Sequence, residues 1–133
     1  MSRHMGYELR VERESPLTYA ELAEPPVAEA GFGVRGTPES GEIVARHTDG
    51  EHLVASWRQA EPDAGALVGE PMSDWQVAQL VRLSEALGGR LVGEDGEYYR
   101  VRDGVVEQVS DSTVYEFGKM EEILAAGPAQ WSE

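Results

Sequence analysis

His47 and His52 flank an Asp49-Gly50 pair, and with those two residues at the centre of a hairpin turn the imidazoles face each other across it. A cross-strand histidine pair can bind a transition metal or set an acid beside a base. Zinc normally takes a third protein ligand, and no nearby carboxylate has a diagnostic spacing. The favoured reading is therefore two surface residues of a hairpin and no metal, and His4, close to the N-terminus, is a poor additional ligand. Glu94, Asp95 and Glu97 gather charge around a second such pair, Asp95-Gly96. They lack the alternating oxygen ligands and terminal Glu of a calcium loop, so a turn with hydrated glutamates is favoured, although the cluster could also steer an arginine-rich partner. No serine lies in a G-x-S-x-G elbow, no Walker A or dinucleotide-binding glycine pattern occurs, and there is no cysteine to supply a thiolate. The sequence predicts no catalytic residue and no cofactor.

The aromatic residues offer binding chemistry instead. Trp75 points away from the apolar face of the helix that carries it, so it is expected to be partly exposed, either as an interface anchor or packed under a loop. Trp57, Tyr98 and Tyr99, together with His47 and His52, are the residues that could line a pocket between helices and sheet; plain core packing is the favoured alternative.

The helix that positions Trp75 is specified residue by residue. Ser73 and Gln76 form a capping box, Met72 and Val77 a hydrophobic staple, and Asp74 adds negative charge to the first turn. Val77, Leu80, Val81, Ser84 and Leu87 share one face, and Gly88-Gly89 ends the pattern, giving a helix over residues 73–88. Upstream, Tyr7, Leu9 and Val11 alternate with Glu8, Arg10 and Glu12 as a strand with one wet face. Thr18 and Glu21 predict a short helix from about Tyr19 that Pro25-Pro26 stops or kinks, and residues 32–35 have edge-strand character. Residues 42–58 read as the hairpin around Asp49-Gly50, with Ile43, Ala45, His47, His52, Val54 and Ser56 on one face and Val44, Arg46, Leu53, Ala55 and Trp57 on the other. Residues 59–70, with Pro62, Gly65 and Gly69, read as a loop. Residues 90–109 predict a three-stranded meander through Asp95-Gly96 and Asp103-Gly104, with Arg100 opposite Glu107 as an exposed pair. Asp111 or Ser112 would then cap a last helix carrying Phe117, Met120, Ile123 and Leu124, ended by Gly127-Pro128. The whole is an α+β single domain over residues 1–133: a mainly antiparallel sheet of about five to six strands with helices packed on one face, a first five residues that resemble tag sequence, and a frayed tail over 128–133.

Twenty-five acidic residues against 11 basic give a formal charge of −14, spread along the chain. That field opposes nucleic-acid phosphates and anionic lipid and favours a basic protein partner or simple solubility. No apolar run approaches the ~20 residues of a membrane span, and the N-terminus lacks a signal-peptide core, so a soluble cytoplasmic protein is expected. A homodimer is compatible with the sequence.

The stretch Leu87-Gly88-Gly89-Arg90-Leu91-Val92-Gly93-Glu94-Asp95-Gly96-Glu97-Tyr98-Tyr99 resembles an L-G-A-x-V-x-G-D-D-G-E-x-Y pattern of small uncharacterised bacterial proteins, with Gly89 in place of Ala and Glu94 in place of the first Asp. Some proteins of that kind resemble immunity proteins of toxin systems. The resemblance implies a non-enzymatic protein-binding role, with no site residue to carry over. The expectation from sequence is an acidic module that binds a basic protein through Trp75, Glu94, Asp95 and Glu97; a small-molecule or enzymatic pocket is the alternative.

Overall fold

The computed structural model describes residues 7–62 and 64–131. The first five residues, read above as tag sequence, and the final two residues of the tail lie outside the described residues. Nine strands form one antiparallel sheet: β1 (Leu9–Glu12), β2 (Phe32–Arg35), β3 (Glu42–His47), β4 (Gly50–Glu61), β5 (Ala64–Gly69), β6 (Arg90–Gly93), β7 (Tyr98–Arg102), β8 (Val105–Val109) and β9 (Val114–Lys119). Their spatial order is β2-β3-β4-β5-β1-β6-β7-β8-β9. Two meanders, β2 to β5 and β6 to β9, thus meet on the N-terminal strand, which pairs Leu9 with both Gly69 and Gly93. Three helices accompany the sheet: α1 (Pro25–Glu29), α2 (Asp74–Ala86) and α3 (Met120–Ala126). Helix α2 lies against β1, β4, β6 and β7 and also meets α1 and α3.

The α+β class and antiparallel sheet agree with expectation; the five to six strands do not. Two misread stretches each hid a further strand. Residues 59–70 are not a loop, because β4 runs to Glu61 and β5 follows. Their glycines are places where another side chain lies on the backbone: a Cβ at Gly65 would sit 2.5 Å from the Trp57 ring, and one at Gly69 would sit 2.8 Å from Leu80 Cδ1. The predicted last helix begins late. Val114, Tyr115 and Phe117 form the strand β9 against β8, and only Met120–Ala126 are helical. β-branched and aromatic residues favour the strand once a partner edge is available.

The Ser73 cap and the glycine stop of α2 form as expected, but the rest of the predicted N-terminal box does not. Ser73 Oγ accepts the Gln76 N–H at 3.1 Å, and Gln76 Oε1 accepts the Met72 N–H at 2.9 Å, so the reciprocal bond falls one residue before the cap. Met72 itself is exposed, so it does not act as a buried staple. At the other end Gly89 N–H bonds Ser84 C=O and Gly88 N–H bonds Glu85 C=O, with Gly88 at φ +72. This is the paired closing bond of a Schellman motif. The proline pair neither kinks nor stops a helix from Tyr19. A 3-10 turn at Ala20–Ala23 ends before it, and Pro25 begins α1.

Turn chemistry set the registers, and two of three differ from expectation. Asp103-Gly104 is a two-residue turn with both residues at positive φ, 52 and 78, and Arg100 opposes Glu107 as predicted. That pair is not fully exposed, because Glu107 is buried. At the first hairpin only Gly50 has positive φ, the turn centres on Thr48-Asp49, and His52 pairs with Ala45 while His47 pairs with Gly50. The imidazoles are therefore not directly opposed. A bulge between Ile43 and Val44 then brings Ala55 opposite Ile43, so Ala55 and Trp57 join the side of Ile43 and Ala45 instead of the Val44 side. At the second hairpin a three-residue loop, residues 94–96, separates Gly93 from Glu97. The one-residue slip pairs Tyr99 with Leu91 in the core.

Candidate functional site

A cleft of about 460 Å³ opens between the start of α2, Trp131 and the strands β7, β8 and β9. Its walls are aromatic: Tyr7, Tyr99, Tyr115, Phe117 and Trp131. Each arrives by ordinary strand or tail geometry. Tyr7 precedes β1 on the parity of Leu9 and Val11, and Tyr99 lies on the buried parity of β7. Tyr115 meets Phe117 edge-on at 5.0 Å, and Phe117 packs on Tyr99 at 6.2 Å. Trp131 is held by its backbone N–H to Met72 C=O at 2.8 Å and by its indole N–H to Asp74 Oδ1 at 2.8 Å. The described part of the tail is docked, not frayed.

Glu97 forms the acidic end of this cleft. It is 4% exposed, and its Oε2 accepts the hydroxyls of Tyr7 and, at 2.8 Å, Tyr99, while Oε1 accepts the Asp95 N–H at 3.1 Å. Gly93 makes the space, since a Cβ there would run into the carboxylate. Burial pushes the Glu97 carboxyl up, but the two hydroxyls and the turn amides outweigh it and hold the group below its ordinary value. Burial and the adjoining carboxylate push both tyrosines well above theirs. The cluster is thus one anion held by neutral donors. A smaller recess of about 280 Å³ continues past Asp95, Glu97 and Gln108 to Asp111. Asp95, Glu97 and Asp111 are the ionisable carboxylates of the combined lining, which includes no Lys, Arg or His.

The residues singled out in the sequence are scattered over several places. Asp95 and Glu97 reach the cleft; Glu94 is exposed beside it and accepts the Glu8 N–H. Trp75 is not exposed. It is 1% accessible, with His47 at 6.3 Å and His52 at 5.6 Å edge-on to its ring. The helix is buried around much of its girth, at Trp75 as well as Val77, Leu80, Val81 and Leu83, because strands of both meanders and the helices α1 and α3 lie against it. Of the five alternative pocket residues, only Tyr99 lines the aromatic cleft. His52 and Trp75 border a second cleft of about 500 Å³ with Arg58, Glu70 and Met72. Trp57 is in the core beside Tyr19, and Tyr98 is on the other parity, 4.3 Å from the Arg90 guanidinium. Among the described residues no three His, Asp or Glu come close enough to hold a metal ion. Asp49, whose carboxyl is held below its ordinary value by the His52 ring at 2.7 Å, makes a local pair with that histidine.

Sequence reasoning missed Tyr115, Phe117, Trp131 and Asp111. The two-residue spacing of Tyr115 and Phe117 was the available signal, hidden by the helical spacing of Phe117, Met120 and Leu124. Charge is also distributed unevenly. Register puts Arg10, Arg35, Arg46, Arg58, Arg90, Arg100 and Arg102 on the sheet parity opposite Leu9, Ile43, Trp57, Leu91 and Tyr99. Several are engaged by local glutamates, including Arg35 with Glu42, Arg58 with Glu8 and Arg100 with Glu107. No helix is long and apolar enough to cross a membrane among the described residues. No family model, curated protein or solved structure matches the chain.

Proposed function

We propose that the protein is a non-enzymatic, acidic protein-binding module whose partner is basic, in the manner of an immunity or inhibitor protein that masks a basic toxin surface in the cytoplasm. The observation that carries this reading is the aromatic cleft bordered by Asp95 and Glu97, continuing into a recess that ends at Asp111, with no basic side chain in either lining. Aromatic residues with a polar tip supply contact area at low entropic cost, and the net charge of −14 accelerates encounter with a cationic surface. In this reading the helices share one face of the sheet, and recognition uses the strand ends and turns around the cleft. Glu94 adds steering charge at the rim. The test is affinity capture of proteins encoded beside the gene, at low and moderate salt. Recovery of a basic neighbour, weakened by salt, is expected; failure to recover any neighbour under either condition refutes the reading.

The size of the cleft also suits a small molecule, since ligand pockets run from about 300 to 1,000 Å³. A metabolite thermal-shift screen separates the two readings: stoichiometric stabilisation by a metabolite, lost in Tyr115→Ala, would favour the ligand pocket.

A further inference from the structure

Resting on the protein-binding reading above, we infer that the aromatic cleft is the seat of an arginine side chain supplied by the basic partner, its guanidinium stacked among the rings and facing Glu97 and Asp95.

Two carboxylates among the described residues are buried, Glu107 and Glu97. Glu107 has a cation, Arg100 Nε at 2.9 Å from its Oε1. The partly buried Glu21 has another, Arg13 at 2.8 Å. Glu97 is bound by two hydroxyls and an amide, so its hydrogen bonds are met while its charge has no counter-ion among the described residues. A buried carboxylate without a cation lowers the cost of taking one from a partner, because desolvation of the anion is already complete before binding.

The walls narrow the chemistry of that cation. Tyr7, Tyr99, Tyr115, Phe117 and Trp131 present rings, and ring faces attract cations most strongly where water is excluded. A guanidinium suits this site better than an ammonium: it is planar, more weakly hydrated, and can stack on a ring while directing N–H groups at carboxylates. A carboxylate has about four acceptor sites, and three donors already occupy Glu97, so Asp95 must take the remaining guanidinium hydrogens. Tyr115, 61% exposed on the edge strand β9, stands where the incoming stem would pass. A metal ion would find too few ligand atoms, since the rings supply none and no three His, Asp or Glu come together among the described residues, and a free polyamine would leave the exposed Tyr115 side without a partner surface.

The test is a titration of the full chain, followed by NMR, with a capped Gly-Gly-Arg-Gly-Gly peptide, its lysine and citrulline counterparts, and spermidine. Saturable shifts at Tyr7, Tyr115 and Trp131 are expected with the arginine peptide, and citrulline, which keeps the shape without the charge, should bind about tenfold more weakly. Glu97→Gln and Asp95→Asn should each weaken the arginine peptide. Because Glu97→Gln also touches the core, Tyr115→Ala provides a surface variant that should weaken binding with the fold unchanged. Equal binding of arginine and citrulline peptides, absence of saturable shifts, or tighter binding of spermidine would overturn the inference. The two levels separate cleanly: a partner captured equally by wild type and Tyr115→Ala would sink the arginine seat and keep the protein-binding reading. Failure to capture any neighbour would sink the latter while the peptide titration still decides the former.

Discussion

Replacing Glu97 with Gln isolates the competition that defines the cleft. In the native protein Oε2 takes the hydroxyls of Tyr7 and Tyr99 and Oε1 takes the Asp95 amide. With the amide oxygen in the Oε2 position, both tyrosines keep an acceptor but lose charge assistance, a weakening of about 0.5–1.5 kcal/mol each. The new NH2 then meets the Asp95 N–H, donor against donor, at about 1–3 kcal/mol for the unsatisfied group. Relief of carboxylate burial offsets part of this sum. Because the folded protein holds the carboxyl below its ordinary value, the donors win over burial, and the net loss near pH 7 should be about 1–3 kcal/mol. Each kcal/mol moves the thermal midpoint by roughly 2–8 °C for a domain near this size.

The pH dependence supplies the sign. A carboxyl depressed in the folded state contributes stability that is fully present above its unfolded value, 4.5, and is lost as pH falls through the lower folded value. The gap between wild type and Glu97→Gln should therefore be constant from about pH 8 to pH 5 and close below that. Tyr7 and Tyr99 are raised, so neither hydroxyl ionises in this window. Urea unfolding of both proteins across the range measures the gap, and taking the difference cancels the other carboxylates. A variant as stable as wild type near neutrality, together with a wild type that gains from this group on acidification, would show that burial dominates. It would also remove the anion on which the arginine seat depends.

Trp75→Ala should lose about 3–5 kcal/mol in chemical denaturation, as for a large ring removed from a closed core, and a loss under about 1 kcal/mol would contradict its burial between the two histidines. Gly65→Ala places a Cβ 2.5 Å from both the Trp57 ring and the Arg58 carbonyl. It should cost about 1–3 kcal/mol and change the near-ultraviolet dichroism, whereas a neutral result would mean that β5 does not lie under Trp57. Gly104→Ala, at φ +78, should cost about 1–2 kcal/mol in thermal unfolding. Asp103→Asn, at φ 52, should be near neutral because Asn tolerates that region, and the reverse ranking would refute the assigned turn.

Local interactions made some elements legible without the fold. The Ser73 cap, the Gly88-Gly89 stop and the alternation of Leu9 and Val11 each depend on residues within a few positions, and they stand as read. The same holds for the Asp103-Gly104 turn and the Arg100–Glu107 register. The Asp95-Gly96 and Asp49-Gly50 pairs marked turns correctly, yet the registers hung on which residue takes positive φ, and dipeptide composition does not decide that.

Composition, charge and local periodicity were enough to specify an acidic α+β chain with a central capped helix and consecutive hairpins. Long-range pairing decided the rest. Gly65 and Gly69 read as loop residues until Trp57 and Leu80 lie over them, and Val114, Tyr115 and Phe117 read as helix until β8 offers an edge. Trp75 reads as exposed until β3 and β4 bring His47 and His52 against its ring. The cleft belongs wholly to this second class, since Tyr7, Glu97, Tyr115 and Trp131 are brought together only because the first strand enters the middle of the sheet and Trp131 returns to the start of α2.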